Sequence, residues 1–109
     1  MVNIDEFLSI DLRVGKIIGV EEHEKARKPM YKLTVSLGEE MGERTIVAGI
    51  RDRYTKDELM GKFIICVTNL EPKEIAGVQS QGMLLAAEDE TQLSLLTPDK
   101  EIKAGSRVH

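Results

Sequence analysis

The stretch Asp11 to Val20, D-L-R-V-G-K-I-I-G-V, limits the possible folds more than any other part of the chain. It reads as one long strand, yet Gly15 and Gly19 lie inside it. A glycine within a strand packs no side chain and marks a bulge or a sharp bend. Leu12 and Val14 alternate with Arg13 and Gly15, and the alternation then breaks at Ile17-Ile18. A long strand bent in this way suits a small closed barrel, which cannot form without curvature.

The other segments fit that expectation. Tyr31 to Leu37, Y-K-L-T-V-S-L, alternates cleanly, with Tyr31, Leu33, Val35 and Leu37 on one face and Lys32, Thr34 and Ser36 on the other. An acidic hairpin-like loop, G-E-E-M-G-E, leads to a returning strand, Arg44 to Ile50. Thr55 and Glu58 have the spacing of a capping box and open a short helix over about 55–60, which Gly61 stops. Residues 62–70, K-F-I-I-C-V-T-N-L, predict a buried strand ending at Asn69. A long loop follows to Gln81, and Gly82 then opens a fifth strand through Met83, Leu84 and Leu85. Near the N-terminus, Asn3 and Glu6 predict a second capping box and a helix over about 4–9, with Phe7, Leu8 and Ile10 lidding one end of the core. Residues 91–97 predict one more strand, and Gly105 to Val108 a last extended piece.

Length and charge bound the function. A chain of 109 residues is expected to form one domain, with its core over about 11–87 and an extension over about 88–109. No apolar run is long enough to span a bilayer, and the N-terminus has no basic start or apolar signal core, so a cytoplasmic protein with no membrane partner is expected. Cys66 stands alone in the apolar run F-I-I-C-V, which excludes a disulfide framework within the chain and argues for core rather than nucleophile. The two histidines, His23 in a charged loop and His109 at the end, form no acid–base or metal cluster with it. No catalytic residue, metal or cofactor is expected. The net charge of -4 lies entirely in residues 57–109, with nine acidic and five basic side chains; residues 1–56 balance at ten and ten. Overall acidity argues only weakly against a nucleic-acid partner, because a binding face needs just a local patch.

The order strand, strand, strand, helix, strand, strand, with bent long strands, matches an all-β, five-stranded OB-fold barrel with short helices and a C-terminal β extension. In that fold the ligand lies across strands two and three, between the loop after strand one and the loop before strand five. Here the first loop carries Lys25, Arg27 and Lys28, stiffened by Pro29, and strand two presents Lys32. The second loop has Asn69 at its entry and Ser80, Gln81 and Met83 at its exit. The lysines and arginine, with Lys16 and Arg51 as further candidates, would meet phosphates. Asn69, Ser80 and Gln81 would hydrogen-bond sugar or base edges, and Met83 would offer a soft surface to an exposed base. With two Phe, two Tyr and no Trp, stacking on single strands is disfavoured, and recognition of a folded RNA by shape fits better. Leu93, Leu95, Leu96, Ile102 and Val108 exceed what one small barrel is expected to bury, so a homodimer built on the extension and the N-terminal helix is expected.

D-L-R-V-G-K-I, Y-K-L-T-V-S-L-G, I-V-A-G-I, V-T-N-L-E-P and G-V-Q-S-Q-G-M-L-L-A-A together resemble the tRNA-binding domain family, over about Phe7 to Val108. Members occur free-standing, or as the C-terminal domain or separate beta subunit of methionyl-tRNA synthetase. The resemblance implies a non-catalytic OB-fold homodimer that binds the outer corner of tRNA, with the synthetase catalytic subunit as a further partner. It implies binding roles for Lys32, Asn69, Ser80 and Met83. Leu70-Glu71-Pro72 departs from the family's usual Leu-Lys-Pro by one positive charge. A-R-K-P-M-Y-K-L resembles a sister group, the secretion-associated chaperone-like proteins of the same fold, and a dimeric peptide-binding chaperone is the competing function.

Overall fold

In the computed structural model, which describes residues 1–109, the chain runs through α1 (Ile4–Leu8), β1 (Leu12–Glu22), β2 (Tyr31–Ser36), α2 (Gly38–Met41), β3 (Glu43–Ala48), α3 (Lys56–Leu59) and β4 (Phe63–Val67). It continues through β5 (Lys73–Ile75), β6 (Val78–Ser80), β7 (Met83–Leu84), β8 (Ala86–Glu88), β9 (Leu93–Leu95) and β10 (Arg107–Val108). β1 organises the sheet. Leu12 to Lys16 pair antiparallel with β4, and Lys16 to Glu22 pair antiparallel with β2. Register between β1 and β2 slips between Ile17 and Gly19. Ile18 is therefore the extra residue of a bulge, and it is exposed. The bulge is why the apolar alternation breaks there. Gly15 is buried where β1 crosses the core; a β-carbon would approach Val35 Cγ1 to 2.6 Å, so a larger residue would force β2 away.

The strand order is β3-β2-β1-β4-β7, with β10 also against β1. Left open, this sheet would expose two edges, but Ser80 and Gln81 join them. The Gln81 N–H donates to Thr45 O at 2.7 Å, and the Thr45 N–H donates to Gln81 Oε1 at 2.9 Å. The Val47 N–H donates to Ser80 Oγ at 2.9 Å. Two side-chain oxygens thus accept the β3 amides that a neighbouring strand would otherwise take. Arg44 Nη1 braces the same seam, donating to Thr68 O at 2.9 Å and Gln81 O at 3.2 Å. Gly82, at φ +147°, permits the close pass: a β-carbon would lie 2.8 Å from Val67 O. The result is the all-β OB-type barrel expected from the strand order. Its core holds Ile17, Leu33, Val35, Leu37, Ile46, Leu59, Ile64, Cys66 and Leu95. No helix is long and apolar enough to cross a membrane.

Several local expectations are corrected. The Asn3–Glu6 capping box forms, with the Glu6 N–H donating to Asn3 Oδ1 at 2.8 Å, but α1 does not lid the core. None of its residues is buried, and Ile4, Phe7 and Leu8 are exposed. Polar contacts hold the segment on the outside: Asn69 Nδ2 donates to Ser9 O at 2.7 Å and Arg107 Nη2 to Leu8 O at 3.3 Å. The acidic loop after β2 contains the helical turn α2, and the loop from Leu70 to Gln81 contains the hairpin β5–β6. The expected fifth strand is split, with β7 paired to β4 and β8 paired to β9. The extension also buries more than expected: Leu95 enters the core, Leu93 packs against it, and Val108 pairs with Leu12. Leu96 and Ile102 stay exposed.

Candidate nucleic-acid interface

The strict alternation of β2 sends Tyr31, Leu33 and Val35 inward and turns Lys32, Thr34 and Ser36 outward. Across the ladder these three face Val47, Thr45 and Glu43 of β3. This outer face therefore carries hydroxyls, one lysine, one carboxylate and the buried Val47, with no aromatic ring. Lys32 Nζ lies 3.3 Å from Glu21 Oε2, at the edge of β1.

The β1–β2 loop borders that face. It closes on itself through the His23 N–H to Met30 O at 3.0 Å and the Ala26 N–H to His23 O at 3.2 Å. Lys25, Arg27 and Lys28 are exposed on it, and none takes part in an ion pair. His23 is only 6% exposed, and its Nε2 lies 2.8 Å from Ile75 O at the tip of the β5–β6 hairpin. A carbonyl only accepts, so Nε2 carries the hydrogen. The hairpin turns through Ala76 and Gly77, both at positive φ, +47° and +88°. Two open clefts meet at this junction. One, of about 320 Å³, is lined by Lys25, Arg27, Lys28 and Met30 with Ile75 and Ala76. The other, of about 340 Å³, is lined by Lys25, Lys32, Glu22 and Glu24 with Ala76, Gly77 and Val78. Arg51 joins Arg27 and Lys28 around a third groove and pairs with Glu22 at 3.3 Å.

The structure thus brings Lys25, Arg27, Lys28 and Lys32 together with the hairpin tip. Ser80, Gln81 and Met83 lie along the barrel seam instead. Ser80 is buried, with Oγ accepting from Val47 and donating to Gly82 O at 3.4 Å, and Gln81 Oε1 is taken by Thr45. Met83 remains 48% exposed beside Val67. Asn69 is not brought to the basic loop. It accepts from the Asp11 N–H at 2.9 Å and donates to Ser9, at the Leu12 end of β1, whereas the basic loop leaves from the Glu22 end. At about 3.3 Å per residue, the two ends of β1 are roughly 30 Å apart along the strand. His23 and Arg44 were not legible as site residues, because their partners are backbone carbonyls distant in sequence. Arg13 and Thr68 hydrogen-bond the Asp11 carboxylate and hold its pKa below the ordinary 3.8. Burial pushes the Cys66 thiol up to about 11, so at neutral pH it is an inert thiol. No group of three His, Cys, Asp or Glu side chains is placed to hold a metal ion.

A barrel of this strand order, closed at β3 and β7 and edged by a hairpin and a basic loop, is an OB-fold protein. Residues 12–107 match the family described as "putative tRNA binding domain", and the chain belongs to that family. It is 51% identical over 107 residues to a methionine–tRNA ligase of Pyrococcus horikoshii, covering 98% of this chain and 14% of that protein. A methionine–tRNA ligase of Methanococcus maripaludis is 48% identical over 109 residues, all of this chain and 16% of the relative. The chain therefore spans about a seventh of the length of such relatives. Among solved structures, the CsaA chaperone protein of Picrophilus torridus superimposes with a TM-score of 0.94 at 38% identity, covering all of both chains. A MetRS related protein from Pyrococcus horikoshii superimposes at 0.90 and 40% identity, covering 100% of this chain and 98% of that one.

Proposed function

We propose that this chain is a non-catalytic cytoplasmic module that binds folded tRNA at its outer corner, by shape and phosphate contacts, alongside methionyl-tRNA synthetase. The observation that carries the reading is the unpaired basic loop fastened through His23 to the β5–β6 hairpin, at the border of a polar, ring-free strand face. Lys25, Arg27, Lys28 and Lys32 take the phosphates. The hydroxyls of β2 and β3 sit against sugars, and Met83 meets an exposed base. Ser80 and Gln81 contribute by fixing the seam, and Asn69 by holding the N-terminal segment at the other end of β1. Binding of tRNA by such a module raises the local tRNA concentration at a synthetase without adding chemistry. The exposed apolar residues of α1, together with Leu96 and Ile102, support a homodimer in which a second copy covers them.

The likeness to CsaA chaperone proteins over the whole chain favours peptide binding as a second reading, with the same exposed apolar residues as its surface. One experiment separates the two. Binding to folded tRNA is titrated against salt, with heat-unfolded tRNA, duplex RNA and an unfolded peptide as competitors. Salt-sensitive binding displaced only by folded tRNA is the expected result. Absence of RNA binding at low salt, together with peptide binding, would replace this reading with the chaperone one.

A further inference from the structure

We infer that His23 is a positioning residue, which docks the basic loop onto the β5–β6 hairpin so that the two form one preformed grip for an RNA backbone. The inference rests on the RNA-binding reading above and adds the device that orients its cations. His23 offers the ligand little surface: it lines the second cleft but is only 6% exposed, and its side-chain hydrogen bond is internal. Yet it is the side chain that hydrogen-bonds one loop to the other. Its Nε2–H reaches the Ile75 carbonyl at 2.8 Å across 52 residues of sequence. Its own backbone N–H and carbonyl, bonded to Met30 and Ala26, close the loop that carries the three unpaired cations. One histidine thus sets both the shape of the loop and the place where it lies.

The physical consequence concerns geometry, not charge. An eight-residue connection with three cations and one carboxylate, Glu24, none of them in an ion pair, gains little electrostatically from being held together. Released, it samples many positions, and only a fraction of them face the hairpin. Apparent affinity falls in proportion to the docked fraction, because binding selects the competent state. A rigid, shaped ligand feels that loss. A flexible polyanion does not, because it follows the cations wherever they go.

The test compares wild type with His23→Leu, which keeps the volume but removes the N–H, and His23→Gln, whose side-chain amide restores an N–H near Nε2. Affinity for a folded tRNA transcript and for single-stranded poly(U) is measured across a salt series. His23→Leu is expected to bind folded tRNA about three- to tenfold more weakly, the range for one lost hydrogen bond that controls docking. Its affinity for poly(U) and its salt slope are expected to stay unchanged, because every cation remains. His23→Gln is expected to recover most of the tRNA affinity. Equal tRNA binding by wild type and His23→Leu would overturn the positioning role and leave the RNA reading intact. Equal weakening toward both ligands would also overturn it, since that marks a general loss of structure. Failure of wild type to bind folded tRNA at all would sink the RNA reading itself, and this inference with it. If His23→Leu does not fold, His23→Gln against His23→Asn puts the same question, because only the longer amide reaches Ile75. Equal tRNA affinity of those two would overturn the role.

Discussion

Ser80 has its hydroxyl committed before any ligand arrives, because Val47 donates to it and it donates to the Gly82 carbonyl. Ser80→Ala would leave the buried Val47 N–H without an acceptor, at a cost of about 1–3 kcal/mol. The expected result is a lower urea midpoint with an unchanged m-value. Met83 is the cleaner probe of a ligand contact. It is half exposed on a two-residue strand, so Met83→Ala should shift stability by no more than about 0.5 kcal/mol. A loss of tRNA affinity in that variant would then report the contact itself. Asp11 sets a pH dependence. Arg13 and Thr68 lower its pKa in the folded chain, so the unfolded chain binds this proton more tightly. The stability it contributes is complete above its ordinary value of 3.8 and is lost as pH falls through the lowered folded value. Asp11→Asn should therefore be less stable than wild type at pH 7, and the gap should close as the solution is acidified below pH 4. A gap that stays constant in thermal melts would show that the carboxylate charge is not what holds the site.

The elements that the sequence displays best are those whose signal is local. The capping boxes at Asn3–Glu6 and Thr55–Glu58 both form, because cap and acceptor lie three residues apart. The alternation of β2 is reproduced residue by residue in its burial. The β5–β6 hairpin was hidden because each strand has only three residues, and its turn is Ala76-Gly77 rather than the usual Asn-Gly or Asp-Gly. Ala76 at φ +47° pays about 1 kcal/mol for a left-handed conformation that asparagine tolerates. Ala76→Asn should accordingly slow amide exchange at Ile75 and Val78, which report the hairpin's own opening. At the far end of β1, Glu21 and Glu22 hold Lys32 and Arg51, each at 3.3 Å. These exposed pairs are worth about 0.2–1 kcal/mol each, so replacing both glutamates by glutamine should raise tRNA affinity at low salt by at least about twofold and at most about thirtyfold. Unchanged affinity would place Lys32 and Arg51 outside the RNA footprint.

At the scale of the molecule, the barrel was legible because two glycines in one strand demand curvature and the strand order leaves few ways to use it. The closure was not legible. It depends on Ser80 and Gln81 meeting β3 amides more than thirty residues earlier, so polar side chains that look free in sequence are spent on the seam. The same non-locality sends Asn69 to the N-terminal segment and leaves the cations as the part of the site most open to a ligand. Those cations allow a quantitative statement about the whole interface. The chain carries a net charge of -4, so any attraction for RNA must come from local placement rather than total charge. If Lys25, Arg27 and Lys28 each neutralise one phosphate, replacing all three by glutamine removes three released counterions. The slope of log affinity against log salt should then flatten by about two to three, at roughly 0.7–0.9 per phosphate contact. The variant should melt within about 2 °C of wild type, because exposed unpaired cations contribute little to stability. A slope that stays steep in a folded variant would move the phosphate contacts off the β1–β2 loop, and the RNA would have to lie on another face of the barrel.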